Sequence, residues 1–136
     1  MTTCRDVMPT FRYLDAPAAI DWLCRVFGFE ERLVVRGDGD TIRHAQLTLG
    51  GVMIMLGSTR EDELGRLVKS PRQTDGVLTQ GVYVVVPEID AYYERVRTAD
   101  AEIFQPIEDQ PHGGKLFTVR DPEGHLWAFG SYDPWA

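Results

Sequence analysis

The feature that most constrains this chain is a repeated order of elements. PTFRYL, residues 9–14, alternates and is rich in aromatic residues, as a strand requires. DAPAAIDWLCRVFGF follows, with Ala16, Ala19, Ile20, Leu23 and Phe27 at helical spacing and Asp15 ahead of Pro17 at the helix entrance. Gly28 suits the helix end, because glycine takes positive φ without a steric penalty. Residues 30–36, IRHAQLTL and GVMIMLG then supply three strands, the last two joined at Gly50 and Gly51. The first half is therefore βαβββ.

The second half follows the same plan with little similarity of letters. LTQGVYVVV, residues 78–86, predicts a strand ended by Pro87, and EIDAYYERVRTAD a helix with Ile89, Tyr92, Tyr93, Val96 and Ala99 near one side. AEIFQPI, KLFTVRD and HLWAFGSY are three further strands. Two βαβββ modules, 9–57 and 78–133, make one α+β domain over residues 1–136. The expected architecture is a curved, mostly antiparallel sheet around a cavity, with the helices on its other face. Residues 58–77 exceed an ordinary connection in length, so they read as a connecting loop or a flap over that cavity.

Composition excludes several classes of function. A formal charge of −7, from 14 basic and 21 acidic residues, argues against a phosphate-backbone footprint and hence against nucleic acid as a partner. No apolar run is long enough to span a bilayer, and the start MTTCRDVMP carries no apolar signal core. A cytoplasmic protein with Cys4 and Cys24 as free thiols is the resulting expectation.

Four segments together resemble the glyoxalase / bleomycin-resistance / extradiol-dioxygenase (vicinal oxygen chelate) superfamily. They are YLDAPAAIDWLCRVFGFE at 13–30, IRHAQLTLGGVMIML at 42–56, TQGVYVVVPEIDAYYERV at 79–96 and RDPEGHLWAFGSYDPW at 120–135. The pattern is most similar to an uncharacterised glyoxalase-like branch ending in a DPEG–aromatic–FG–Tyr run. The resemblance implies the tandem-module fold and a homodimer. It does not imply one activity, because the superfamily includes isomerases, lyases, ring-cleaving dioxygenases and drug-sequestering proteins. Its metal enzymes place four ligands at set points, which fall here on Met8, Met55, Gln80 or Gly81, and Ala128. Thioether, amide and methyl groups are poor substitutes for His and Glu on Zn, Ni or Fe, so no metal or other cofactor is expected.

Strand alternation then sorts the candidate ligand-binding residues. If the four points face the cavity, Met8, Thr10 and Arg12 share the inner face of the first strand, and Met53 and Met55 that of the fourth. Leu126, Ala128 and Gly130 do so on the last, which turns Trp127 and Phe129 toward the helices. On an inward face Arg12 costs desolvation unless it is compensated, so it reads as paired with Glu102, Glu108 or Asp121 within the chain, as bound to an acidic or polar group of a ligand, or as simply exposed. His44 reads either as a sheet histidine bonded to a neighbour or as a pocket donor or general base. Gln80 offers a donor and an acceptor at a ligand point. Met53 and Met55 suit an adaptable apolar wall.

The function expected from these residues is metal-independent binding of an apolar or aromatic small molecule. Arg12, His44, Met53, Met55 and Gln80 would line the site, as in bleomycin-resistance proteins. The alternative is a glyoxalase-like lyase, isomerase or dioxygenase, using either a rearranged metal site or His44 as base.

Overall fold

The computed structural model describes residues 1–136 as two four-stranded sheets. The first module holds β1 (Thr10–Tyr13), α1 (Ala16–Trp22), a π-helical turn (Leu23–Phe27), β2 (Glu30–Arg36), β3 (Ile42–Leu49) and β4 (Val52–Ser58). The second holds β5 (Val82–Val85), α2 (Ile89–Thr98), β6 (Glu102–Asp109), β7 (Lys115–Arg120) and β8 (Leu126–Gly130). Their strand orders are β1-β4-β3-β2 and β5-β8-β7-β6. In each, the first strand runs parallel to the fourth and the other pairs are antiparallel. This is the α+β fold expected from the repeat.

Two elements differ from the expectation. Residues 78–81 precede β5 instead of belonging to it, because the partner strand β8 pairs only through Trp127–Gly130. The first helix widens into a π-turn after Trp22 before closing at Gly28, whose φ is +89°. Its unpaired terminal carbonyls are taken by α2. Tyr92 Oη donates to Phe27 O at 2.8 Å, and Arg95 Nε donates to Val26 O at 3.2 Å. The π-turn is thereby stabilised by tertiary partners that no local pattern reveals.

The repeat is closer at atomic level than the letters suggest. Thr10 and Arg12 pair with Met55 and Gly57, while Tyr83 and Val85 pair with Ala128 and Gly130. Both fourth strands therefore run into a Gly-Ser pair, MLGS at 55–58 and AFGS at 128–131. Each serine accepts the first backbone N–H of the module's third strand. Ser58 Oγ accepts from Ile42 N at 2.8 Å, and Ser131 Oγ from Lys115 N at 2.9 Å. Each glycine makes room for a side chain lying across it: a Cβ would stand 2.5 Å from Arg12 Nη1 at Gly57, and 2.5 Å from Tyr83 Oη at Gly130.

One aromatic cluster joins the modules on the helix side. Trp127, Phe129, Phe117, Phe27 and Tyr13 are fully buried. Phe11 of the first module stacks on Trp127 of the second at 4.8 Å between centroids. The tryptophan-rich C-terminal run thus closes the core, except that Trp135 is exposed.

The DPEG turn contributes two buried carboxylates to the same junction. Asp121 accepts from Tyr13 Oη at 2.6 Å, Trp127 Nε1 at 3.1 Å and the backbone N–H groups of Glu123 and His125 at 3.0 Å. Glu123 accepts from Leu14 N, Asp15 N and Ser70 Oγ at 2.7, 2.8 and 2.6 Å. The connecting segment is consequently fastened at Ser70, and Pro71 packs on Gly124, where a Cβ would meet Pro71 Cβ at 3.2 Å. Asp121 is occupied by these donors, so it is not available to Arg12.

Candidate functional site

Pairing register assigns each candidate on the first sheet to a face. Phe11, Tyr13, Ala45, Leu47, Ile54 and Leu56 are buried toward the helices. The intervening residues form the opposite face in two rows. Thr10, Met55, Gln46 and Leu33 stand side by side across β1, β4, β3 and β2. The next row holds Arg12, Gly57, His44 and Val35, His44 reaching Gly57 by continuing the Ala45–Leu56 ladder one step. Met53 lies two residues before Met55 on the same face. Arg12, His44, Met53 and Met55 therefore share one surface, with Arg12 and His44 two strand spacings, roughly 9.5 Å, apart.

Leu33, Val35 and Val52 are exposed on or beside this sheet, which leaves an apolar floor with polar groups at one end. His44 is half-buried, and its Nε2 lies 3.1 Å from Gln46 Nε2. An amide nitrogen can only donate, so in this arrangement Gln46 occupies the free ring lone pair and the proton sits on Nδ1. The sheet-histidine contact is thus present, and the nitrogen that a general base would use is engaged.

Arg12 lies across Gly57, and its Nη1 donates to Ser58 O at 3.3 Å. None of the three anticipated internal partners holds it. Glu102 pairs with Arg120 at 2.7 Å, Asp121 is enclosed by its four donors, and Glu108 lies exposed opposite Leu116 on β7. Burial, with the charge of Arg60, lowers the Arg12 pKa from its ordinary value, while Asp62 opposes this.

Gln80 belongs to a different place. It is exposed in the segment before β5 and lines a concavity of about 660 Å³ with Met8, Thr10, Leu67, Leu78 and His125. The repeat also removes the one-residue ambiguity at this point. Thr10 opposite Met55 matches Tyr83 opposite Ala128, so the counterpart of Met8 is Gly81, which has no side chain. The four points are then Met8, Met55, Gly81 and Ala128, two thioethers, a hydrogen and a methyl. They do not fit a divalent transition metal. No group of three or more His, Cys, Asp or Glu side chains is arranged to hold a metal ion elsewhere in the chain.

Sequence reasoning also passed over His125 as a positioning residue. Its Nε2–H donates to Arg12 O at 3.1 Å, and its ring packs edge-on against Phe11 and Tyr13. The signal available was its place directly after the DPEG turn. Cys24, by contrast, is a poor nucleophile: burial and then Glu31, Asp21 and Glu30 raise its pKa.

A family model described as the glyoxalase/bleomycin resistance protein/dioxygenase superfamily matches residues 9–129. The chain belongs to this superfamily. A relative from Mycobacterium bovis, the uncharacterised protein Mb0911c, is 30% identical over 116 residues, covering 85% of this chain and 76% of its own. TioX from Micromonospora sp. ML1 is similar in structure with a TM-score of 0.72 and 36% identity, covering 93% of this chain and 94% of its own. The bleomycin-binding protein of Streptomyces verticillus, solved with copper(II)-bleomycin, has a TM-score of 0.67 and 20% identity over 98% of this chain and all of its own. That last likeness shows the shared superfamily fold. No helix is long and apolar enough to cross a membrane.

Proposed function

We propose that this superfamily member is a metal-independent small-molecule-binding protein, which holds an apolar or aromatic ligand on the open face of its first sheet. Met53 and Met55 supply an adaptable wall, and Arg12 and His44 supply polar contacts at one end. The observation that carries this reading is the donor set at the four points where the superfamily resemblance places ligands: Met8, Met55, Gly81 and Ala128 offer two thioethers, a hydrogen and a methyl, a poor fit for a divalent metal. Binding requires shape and a few polar groups, but no catalytic group. The bleomycin-binding protein supports the reading as a protein of the same fold that was solved with copper(II)-bleomycin.

Tagless protein purified from metal-replete medium should carry well under one Zn, Ni, Mn or Fe per chain by elemental analysis. A thermal-shift screen of flat aromatic compounds should raise the melting midpoint without added metal, since binding to the native state alone stabilises it. Stoichiometric metal that survives chelator, or ligand shifts that need metal, would reject metal independence.

A symmetric homodimer is part of this proposal. Tyr83, Val85 and Phe104 on the second sheet are exposed, and pairing two chains would cover them. Sedimentation at micromolar concentration should give about twice the 15.4 kDa chain mass. A stable monomer would reject the assembly and leave the binding face intact.

A further inference from the structure

The covering residues of the two repeated glycines differ in one respect that has chemical consequences. Across Gly130 lies Tyr83, whose Oη donates to Tyr132 O at 2.6 Å and is thereby satisfied within the chain. Across Gly57 lies Arg12, whose guanidinium carries five N–H donors and uses one of them, on Ser58 O at 3.3 Å. No carboxylate lies within ion-pair distance of it, in a chain with 21 acidic residues against 14 basic ones. A half-buried cation costs desolvation, and an acidic chain had the means to neutralise it.

The unused donors adjoin a concavity of about 460 Å³ at the end of the first sheet. Its lining includes Arg12, Arg43 and Arg60, with Thr41, Thr59 and a single carboxylate, Asp38. Arg60 is already paired with Asp62, so its charge is partly compensated, and Arg12 and Arg43 are the cations of this corner without a carboxylate partner. Three arginines against one aspartate make this corner locally positive within a chain of net charge −7. Planar guanidinium suits two-point recognition of an oxyanion, and the volume far exceeds one carboxylate or phosphate group.

We infer that this corner recognises an oxyanion substituent, a carboxylate or a phosphate, on a larger ligand whose apolar part lies toward Met55. The inference deepens the proposed binding function, in that it names the acidic class of its ligand. Gly57 leaves room for the guanidinium, Ser58 O accepts from its Nη1, and His125 fixes the backbone of Arg12 through its carbonyl. Arg12 is the recognition residue, and Arg43, with the partly compensated Arg60, reinforces the field.

The test uses the full chain and defined probes. Titration with inorganic phosphate and with acetate, at constant ionic strength set by chloride, should move the Arg12 Nε–H resonance and the Gly57 and Ser58 amides saturably. Benzoate should bind about tenfold more tightly than benzamide, and Arg12→Gln should abolish that preference, as loss of a charge-assisted hydrogen bond predicts. Arg12→Lys should retain part of it, and Arg25→Gln, a change at an exposed arginine away from the corner, should retain it all. A larger effect of acetate and benzoate than of phosphate identifies carboxylate as the group, and the reverse identifies phosphate.

Shifts that track chloride alone, or equal affinity for benzoate and benzamide, would overturn the inference even if Arg12→Gln failed to fold. Equal binding of the two with perturbed Met53 and Met55 methyls would overturn it while sparing the broader binding function. Saturable benzoate binding with no response from those methyls would uphold the oxyanion site but reject both the placement of the apolar part toward Met55 and the broader binding face.

Discussion

Asp121→Ala is expected to remove most of the stability of this fold. The carboxylate is 4% exposed and gathers four donors, two of them from the fully buried side chains of Tyr13 and Trp127. Alanine leaves the phenol and the indole N–H without acceptors, each costing about 1–3 kcal/mol, and also releases two backbone N–H groups of the turn. A total of about 4 kcal/mol or more approaches the whole stability of a small domain, which is about 5–15 kcal/mol. Asp121→Asn keeps the shape and one acceptor oxygen for the turn, so it should cost roughly half as much. Tyr13→Phe removes one of four donors and should cost least, about 1 kcal/mol. Urea denaturation of the three variants should rank them in that order. Near-equal midpoints for Asp121→Ala and the wild type would show that the aromatic core alone carries the junction.

That junction marks the boundary of what could be read from the letters. Periodicity located every strand and both helices, because a packed face must recur at 2.0 or 3.6 residues wherever the chain is regular. Alternation, anchored on the ligand points that the superfamily resemblance implies, also turned Trp127 and Phe129 to the core and Met53 and Met55 away from it. DPEG, in contrast, has the composition of a solvent-exposed turn. Its two acids are interior only because Tyr13, Leu14, Asp15 and Ser70 arrive from 53 to 109 positions away. No local pattern encodes such partners.

The site was legible to a similar depth. Arg12 could be assigned a face but not a partner: of the carboxylates considered for it, Glu102 and Asp121 are engaged elsewhere and Glu108 lies exposed. His44 had an undetermined face until pairing with β4 placed it beside Gly57. The choice between Gln80 and Gly81 stayed open, since the shared Gly-Ser pair that sets the register, at 57–58 and 130–131, is too short to be noticed without the ladders. Once Gly57 is seen to be covered by Arg12 and Gly130 by Tyr83, the same backbone device serves two ends, internal closure in one module and an open cation in the other.

The fold should also be unusually sensitive to base. Tyr13 is buried against Asp121, so desolvation first and the carboxylate second push its pKa well above the ordinary 10.0. Tyr92, hydrogen-bonded to Phe27 O, is raised too, chiefly by burial, with Arg95 opposing. A tyrosine whose folded pKa is raised keeps its proton in the native state while the unfolded chain loses it. The associated stability is complete below pH 10 and is lost progressively as pH rises above that value. Two such groups give a slope of about 2.7 kcal/mol per pH unit, so the interval from pH 10 to 12 removes about 5 kcal/mol. Melting midpoints should therefore be flat through neutral pH and fall steeply above 10. Tyr92→Phe should roughly halve the slope, whereas a change at exposed Tyr83 should reduce it far less. Of the five tyrosines, Tyr13 and Tyr92 should ionise, by absorbance near 295 nm, only as the chain unfolds. Ionisation of all five ahead of unfolding would mean that the Tyr13–Asp121 contact opens to solvent in the native state.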